Sequence, residues 1–113
     1  MEATLVGLGG AFGAVFRYGI GQLLVGRSFP WATLVVNVLG SLLLGVVVFG
    51  AAGSGTFLLV GVGFCGAFTT FSSFSVQTVT LWDRGERVRA VLNAVGNLAV
   101  SLLAFGGAWL LLG

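Results

Sequence analysis

The sequence predicts an all-α integral membrane protein in which four closely spaced helices cross the bilayer. Three observations carry this reading. Only 7% of the 113 residues are charged and 58% are hydrophobic, whereas soluble domains use about 25% charged residues to cover their surface. Four apolar segments each reach the roughly 20 residues that a helix rising about 1.5 Å per residue needs to cross the hydrocarbon. The connections between them are short and turn-like in composition. Disorder is excluded for the opposite reason, because disordered chains are poor in the aromatic and branched apolar residues that abound here.

The first span is Ala3 to Val25. It begins directly after Met1-Glu2 with no basic segment before it, and it is too long for the apolar region of a cleaved signal peptide, which is therefore not expected. Gly26-Arg27-Ser28-Phe29-Pro30 leads to the second span, Trp31 to Ala52, and Gly53-Ser54-Gly55 leads to the third, Thr56 to Trp82. Asp83-Arg84-Gly85-Glu86-Arg87 precedes the fourth, Val88 to Leu112. Loops this short make sequential helices antiparallel neighbours, and residues 1–113 form a single four-span domain. Trp31, Trp82 and Trp109 all fall near span ends, where an indole buries its ring and wets its N–H. Many of the 20 glycines lie inside spans, Gly9, Gly13, Gly40 and Gly45 among them. Small residues let helix backbones approach closely in lipid, and tight packing accounts for most of these glycines. So small a chain is also expected to oligomerise if it forms a solute pathway.

Charge and cysteine content exclude several partners and chemistries. The net charge of +2 rests on five Lys+Arg against three acids, too little for nucleic acid. Cys65 is the single cysteine and there is no His, so neither an internal disulfide nor a His/Cys metal centre is available. No buried acid or activated nucleophile is present for acid–base work, so the chain is not read as an enzyme.

Inside a membrane each polar side chain must find a partner or face water. Thr33, Asn37 and Ser41 are spaced four apart in the second span, and Asn93, Asn97 and Ser101 repeat that spacing in the fourth. Each set occupies one helix face over roughly 12 Å. Interhelical hydrogen bonding explains any one of these residues. Two such stripes also fit a polar file that donates hydrogen bonds to a dehydrated anion without a charge to trap it.

The third span reads Gly61-Val62-Gly63-Phe64-Cys65-Gly66-Ala67-Phe68-Thr69-Thr70-Phe71-Ser72-Ser73-Phe74-Ser75. Glycines and small hydroxylated residues offer the backbone bonds other than helical ones, which places a break near Gly66 to Thr70. A break leaves carbonyls unpaired, which is tolerated in a membrane only where they are buried in protein or line a cavity. Half-helix ends of this kind are ready-made cation sites. The alternative is an unbroken helix whose hydroxyls bond back one turn. Phe71 and Phe74 share a helix face, either as packing residues or with their positive ring edges turned toward an anion. Arg17 is the one formal charge well inside a span, either snorkelling to the interface or drawing anions to a pore mouth.

These residues resemble a known family. Gly9-Gly10-Ala11-Phe12-Gly13-Ala14-Val15-Phe16-Arg17-Tyr18 is similar to the first-helix signature of the Fluc or CrcB fluoride channels, and Thr33-Leu34-Val35-Val36-Asn37-Val38-Leu39-Gly40 to their second-helix motif. Gly63-Phe64-Cys65-Gly66-Ala67-Phe68-Thr69-Thr70-Phe71-Ser72-Ser73-Phe74 resembles their third-helix break. The resemblance implies a cell-membrane channel that lets fluoride leave the cytoplasm passively and so confers fluoride resistance. It implies an antiparallel dimer with two pathways along the subunit interface. A structural, non-transported Na⁺ would sit at its centre on backbone carbonyls that here belong to Gly66 and Thr69. Phe71 and Phe74 correspond to the paired pore phenylalanines, Asn37 to the second-helix pore asparagine, and Ser72 and Ser73 to neighbouring hydroxyl positions. Asn93, Asn97 and Ser101 would continue the fluoride pathway, with Arg17 in the vestibule. The sequence departs from the family at Ala67, where a second glycine is frequent, at Asn93, where many members carry Tyr, and at Asn97, where many carry Ser.

Other classes fit less well. A small four-span multidrug or cation transporter shares the size but needs an ionisable carboxylate in its first span, and Glu2 lies outside it. A purely structural membrane subunit leaves the stripes and the break without a role. The loops also predict orientation. The side holding both termini and the Gly53–Gly55 turn has no Lys or Arg, while the opposite side has Arg27, Arg84, Arg87 and Arg89. The positive-inside rule then places both termini outside. Four against none favours a dimer with a homologous chain of opposite orientation over one chain inserting both ways.

Overall fold

The computed structural model describes residues 1–24, 26, 29–50 and 53–113. The sequence-expected span ends at Val25 and Ala52, and the loop arginine Arg27, lie outside the described residues. Helix α1 runs Glu2–Leu23 and helix α2 runs Trp31–Phe49. The third span, Ser54–Asp83, has two halves. The upstream half, α3, is the succession Ser54–Thr56, Phe57–Cys65 and Gly66–Phe68, and the downstream half, α4, is Phe71–Asp83. Helix α5 is Arg87–Leu112. All four spans are long and apolar enough to cross a membrane. At about 1.5 Å per residue even the 19 residues of α2 cover roughly 28 Å, close to the ~30 Å hydrocarbon thickness.

Backbone proximity joins α1 to α3. A Cβ built on Gly9 would run into the Leu59 carbonyl, and one on Gly13 into that of Phe64. One on Gly63 would lie 2.6 Å from the Val6 carbonyl oxygen and 3.0 Å from the Gly9 Cα. The Gly9/Gly13 spacing is the small-xxx-small device of membrane helices, which gains dispersion contacts where burial in lipid gains nothing. Helix α2 packs along α5 in the same manner, with Gly45 seated against Ala108 and the Phe105 backbone. Large apolar side chains point outward instead: Phe12, Val76, Leu103 and Leu110 are all exposed. That inversion of the soluble pattern is what a lipid solvent permits.

Within α3 the stretch Phe57–Cys65 is wound as a π-helix. The helix then stops at Thr69 (φ −79°, ψ 159°) and Thr70 (φ −147°, ψ 118°), two consecutive extended residues in mid-span. This is the break expected between Gly66 and Thr70. Its upstream end is closed by Thr69, whose N–H and hydroxyl both donate to the Cys65 carbonyl at 3.0 and 2.9 Å. Its downstream end is capped by Thr70, whose hydroxyl oxygen accepts from the Ser73 N–H at 3.1 Å, the usual arrangement for a threonine N-cap.

The turn from α4 to α5 is a Schellman motif. Gly85 takes φ +82°, its N–H donates to the Trp82 carbonyl, and the Glu86 N–H donates to Leu81. A left-handed residue here favours glycine. Arg87 lies over the Trp82 ring at 4.9 Å, and Arg89 pairs with Glu86 at 2.8 Å, which sets a charged, aromatic-edged rim at this end of the bundle.

Candidate functional site

The break opens onto a groove of about 920 Å³ that runs along α2, α3, α4 and α5. Its polar wall is Asn37, Ser41, Thr69, Thr70, Asn97 and Ser101. Phe57, Phe71, Phe74 and Phe105 supply aromatic surface, and Gly40, Gly61 and Gly66 leave bare backbone. Among the described residues, none of formal charge lines it. An anion entering would meet hydroxyls, amides and ring edges, and a cation would meet carbonyl oxygens.

The two asparagine stripes meet in one hydrogen-bonded chain. Asn37 accepts from the Thr70 N–H on its Oδ1 at 2.9 Å. Its Nδ2 donates to the Thr70 carbonyl at 3.3 Å and to Asn97 Oδ1 at 2.8 Å. Asn97 Nδ2 donates to the Asn93 carbonyl and to Asn93 Oδ1, at 2.8 and 2.9 Å. Asn93 Nδ2 donates to Thr78 Oγ1, which donates to the Phe74 carbonyl, both at 2.8 Å. A broken span is thus stitched to α2 and α5 by side-chain amides. Asn93 is 0% exposed and Asn97 5%, so these bonds satisfy groups that would otherwise be stranded away from water.

Stitching changes what the break offers. In a continuous helix the Thr70 N–H would bond the Gly66 carbonyl four residues back. It is turned to Asn37 instead, and neither Gly66 O nor Thr69 O accepts a bond in the turn among the described residues. Gly66 is exposed and both residues line the groove. Gly40 makes room for the turn, since a Cβ there would collide with the Thr69 methyl and lie 3.4 Å from the Phe68 ring.

The structure brings Asn37, Asn97, Ser101, Gly66, Thr69, Phe71 and Phe74 to one groove and leaves other candidates beside it. Phe71 is 79% exposed, and its ring centroid lies 5.8 Å from that of Phe74 at 45°. Ser101 Oγ is buried with no hydrogen-bond partner among the described residues. Asn93 stands behind the groove, reaching it through Asn97. Ser72 and Ser73 begin α4 without lining the groove, and the Ser73 N–H serves the cap. Arg17 is exposed on α1, which does not contribute to the groove wall. The sequence reading missed Thr78 and Gly40 as parts of the site. A threonine four residues after Phe74 and a glycine three after Asn37 were the available signals.

Known proteins of similar size and pattern place the chain. The family described as CrcB-like protein, Camphor Resistance (CrcB), matches residues 4–109. A protein of Haloarcula marismortui named Fluoride-specific ion channel FluC 2 is 52% identical over 108 residues, covering 96% of this chain and 91% of that protein. One of Natronomonas pharaonis with the same name is 55% identical over 104 residues, covering 92% and 88%. Fluoride-specific ion channel FluC of Photobacterium profundum is 47% identical over 114 residues, covering 91% and 90%. With a match across nearly its full length and such relatives, the chain belongs to the CrcB-like family.

Proposed function

We propose that this chain is a subunit of a fluoride-specific channel that lets fluoride leave the cytoplasm passively. The observation that carries it is an uncharged groove of hydroxyls, amides and phenylalanine edges built around a broken span, in a chain about half identical to proteins named for that activity. Fluoride is small and strongly hydrated, so a path must replace its water with several weak donors rather than one deep trap. Both N–H groups of Asn37 and of Asn97 are committed within the chain. The ion is therefore received by the Ser101 and Ser41 hydroxyls and the positive edges of Phe71 and Phe74, with Ser72 and Ser73 beside the ring pair. Asn37 and Asn97 shape the wall, and Asn93 backs them from behind it. Arg17 adds a positive field at the mouth.

One chain leaves the groove open along its length, and a second copy or homologue inserted upside down closes it into pathways. The Gly66 and Thr69 carbonyls fit a hard cation, since they are neutral oxygens at a half-helix end that take no N–H in the turn among the described residues. They would hold a structural Na⁺ between subunits, and the ion would supply fixed positive charge next to the path. The arginine bias of the loops favours both termini outside and a partner chain of opposite orientation. Growth in fluoride tests the function. Expression in a bacterium stripped of its own fluoride export, alone or with an inverted homologue, restores growth. Failure of both arrangements, with the chain present in the membrane, counts against the proposal.

A further inference from the structure

The chain of amides has a direction that its two ends impose. At the groove end the Thr70 N–H can only donate, so Asn37 must present Oδ1 to it. At the far end the Thr78 hydroxyl donates to the Phe74 carbonyl, one turn back on its own helix, and so offers its lone pair to Asn93. Everything between follows: Asn93 Oδ1 faces Asn97 Nδ2, and Asn97 Oδ1 faces Asn37 Nδ2. Amide orientation is ordinarily ambiguous because nitrogen and oxygen look alike. Here reversing Asn37 or Asn97 would set donor against donor on one side and acceptor against acceptor on the other, and reversing Asn93 would set donor against donor at Asn97 and pull the Thr78 hydroxyl off the Phe74 carbonyl.

We infer that Thr78 and Asn93, neither of which lines the groove, are positioning residues that hold the break open by fixing the polarity of Asn97 and Asn37. Asn93 is fully buried, so its orientation is set by its partners and not by water. Losing the Thr78 hydroxyl frees Asn93 to turn over. Asn97 then keeps only the Asn93 main-chain carbonyl as acceptor and loses Asn93 Oδ1, its hold on Asn37 slackens, and the Thr70 N–H is freer to return toward the Gly66 carbonyl. The break then relaxes toward continuous helix at the expense of the carbonyls and the groove. This role rests on the channel reading for its effect on fluoride, but the hydrogen-bond chain itself can be tested without it.

Thr69-Thr70 is the only Thr-Thr pair in the sequence. Threonine carrying ¹³C at the carbonyl and ¹⁵N at the amide therefore gives a single carbonyl-coupled amide cross-peak, that of Thr70. Thr78→Val is nearly isosteric and removes only the hydroxyl, and Thr78→Ser restores it. In the assembled protein in bicelles, Thr78→Val moves the Thr70 amide proton and Thr78→Ser leaves it in place. Fluoride efflux per assembled protein falls about tenfold in the valine variant, as for one functional hydrogen bond, and recovers in the serine variant. An unmoved cross-peak in Thr78→Val overturns the inference, as does equal movement in both variants or a moved peak with unchanged efflux. If Thr78→Val does not assemble, Asn97→Leu interrupts the same chain one step nearer the groove, and an unmoved Thr70 peak there is equally fatal. A wild-type protein silent to fluoride would refute the channel reading instead, and the cross-peak would still decide the hydrogen-bond chain.

Discussion

Replacing Asn37 by leucine, similar in size but without polar atoms, removes the clamp on the break. Three hydrogen bonds vanish, those to the Thr70 N–H, the Thr70 carbonyl and Asn97 Oδ1. Side-chain hydrogen bonds within membranes are worth about 0.6 kcal/mol on average, because the unfolded chain in lipid finds other partners. Three of them give roughly 2 kcal/mol. Asn97 Oδ1 is then left without its donor on a residue only 5% exposed, and a stranded buried acceptor costs about 1–3 kcal/mol. The expected loss is therefore about 3–5 kcal/mol, with little cavity contribution because leucine fills the space. Asn37→Asp should lose at least as much, since one oxygen still accepts from the Thr70 N–H but the other sets a mid-membrane carboxylate against the Thr70 carbonyl and Asn97 Oδ1. Reversible unfolding in mixed micelles measures both variants, and fluoride efflux per folded protein measures the consequence for the groove. If Asn37→Leu unfolds within about 0.5 kcal/mol of wild type and conducts normally, the hydrogen bonds do not hold the break, and the account of the site fails with them.

Phe71→Ala or Phe74→Ala should slow fluoride passage at least tenfold while the protein still assembles, because ring edges contact the ion. Unchanged efflux per assembled protein would return these rings to lipid contact. Gly9→Leu or Gly13→Leu should prevent α1 from seating on α3, read as loss of folded protein on size exclusion in detergent, whereas Gly19→Leu, which meets nothing within 4 Å, should be tolerated. Orientation is read with an impermeant thiol reagent on intact cells, using Ser54→Cys or Ser28→Cys in a Cys65→Ala background. Labelling at Ser54→Cys alone supports termini outside, and comparable partial labelling at both positions contradicts a fixed orientation.

The four spans were legible because composition alone chooses the solvent, and the apolar lengths then match the bilayer. The break was legible too, since Gly66, Thr69 and Thr70 each weaken a helix for reasons internal to the residue. What periodicity could not give was partnership. Asn37, Asn93 and Asn97 were visible as stripes, but whether amides on different helices face an ion or one another depends on how α2 and α5 rotate about their axes. That rotation is set by Gly45 against Ala108 and by the stacking of small residues along the contact. Thr78 was hidden for the same reason: it is one of several hydroxyls on α4, and only the approach of α5 singles it out. The π-winding of Phe57–Cys65 had no sequence signal at all, because its apolar residues suit either winding. Ser72 and Ser73 were read as pathway hydroxyls, but they do not line the groove, and the Ser73 N–H is taken up by the cap at Thr70.

Fluoride conduction itself is tested most directly by passive efflux from liposomes holding the purified protein, with its inverted homologue where one is required. Vesicles are loaded with potassium fluoride or potassium chloride, and the appearance of each halide is followed with its own ion-selective electrode after a potassium ionophore removes the electrical block. An uncharged groove of weak donors predicts rapid fluoride release with chloride retained. Equal release of both halides, or release of neither from vesicles shown to contain assembled protein, would contradict it.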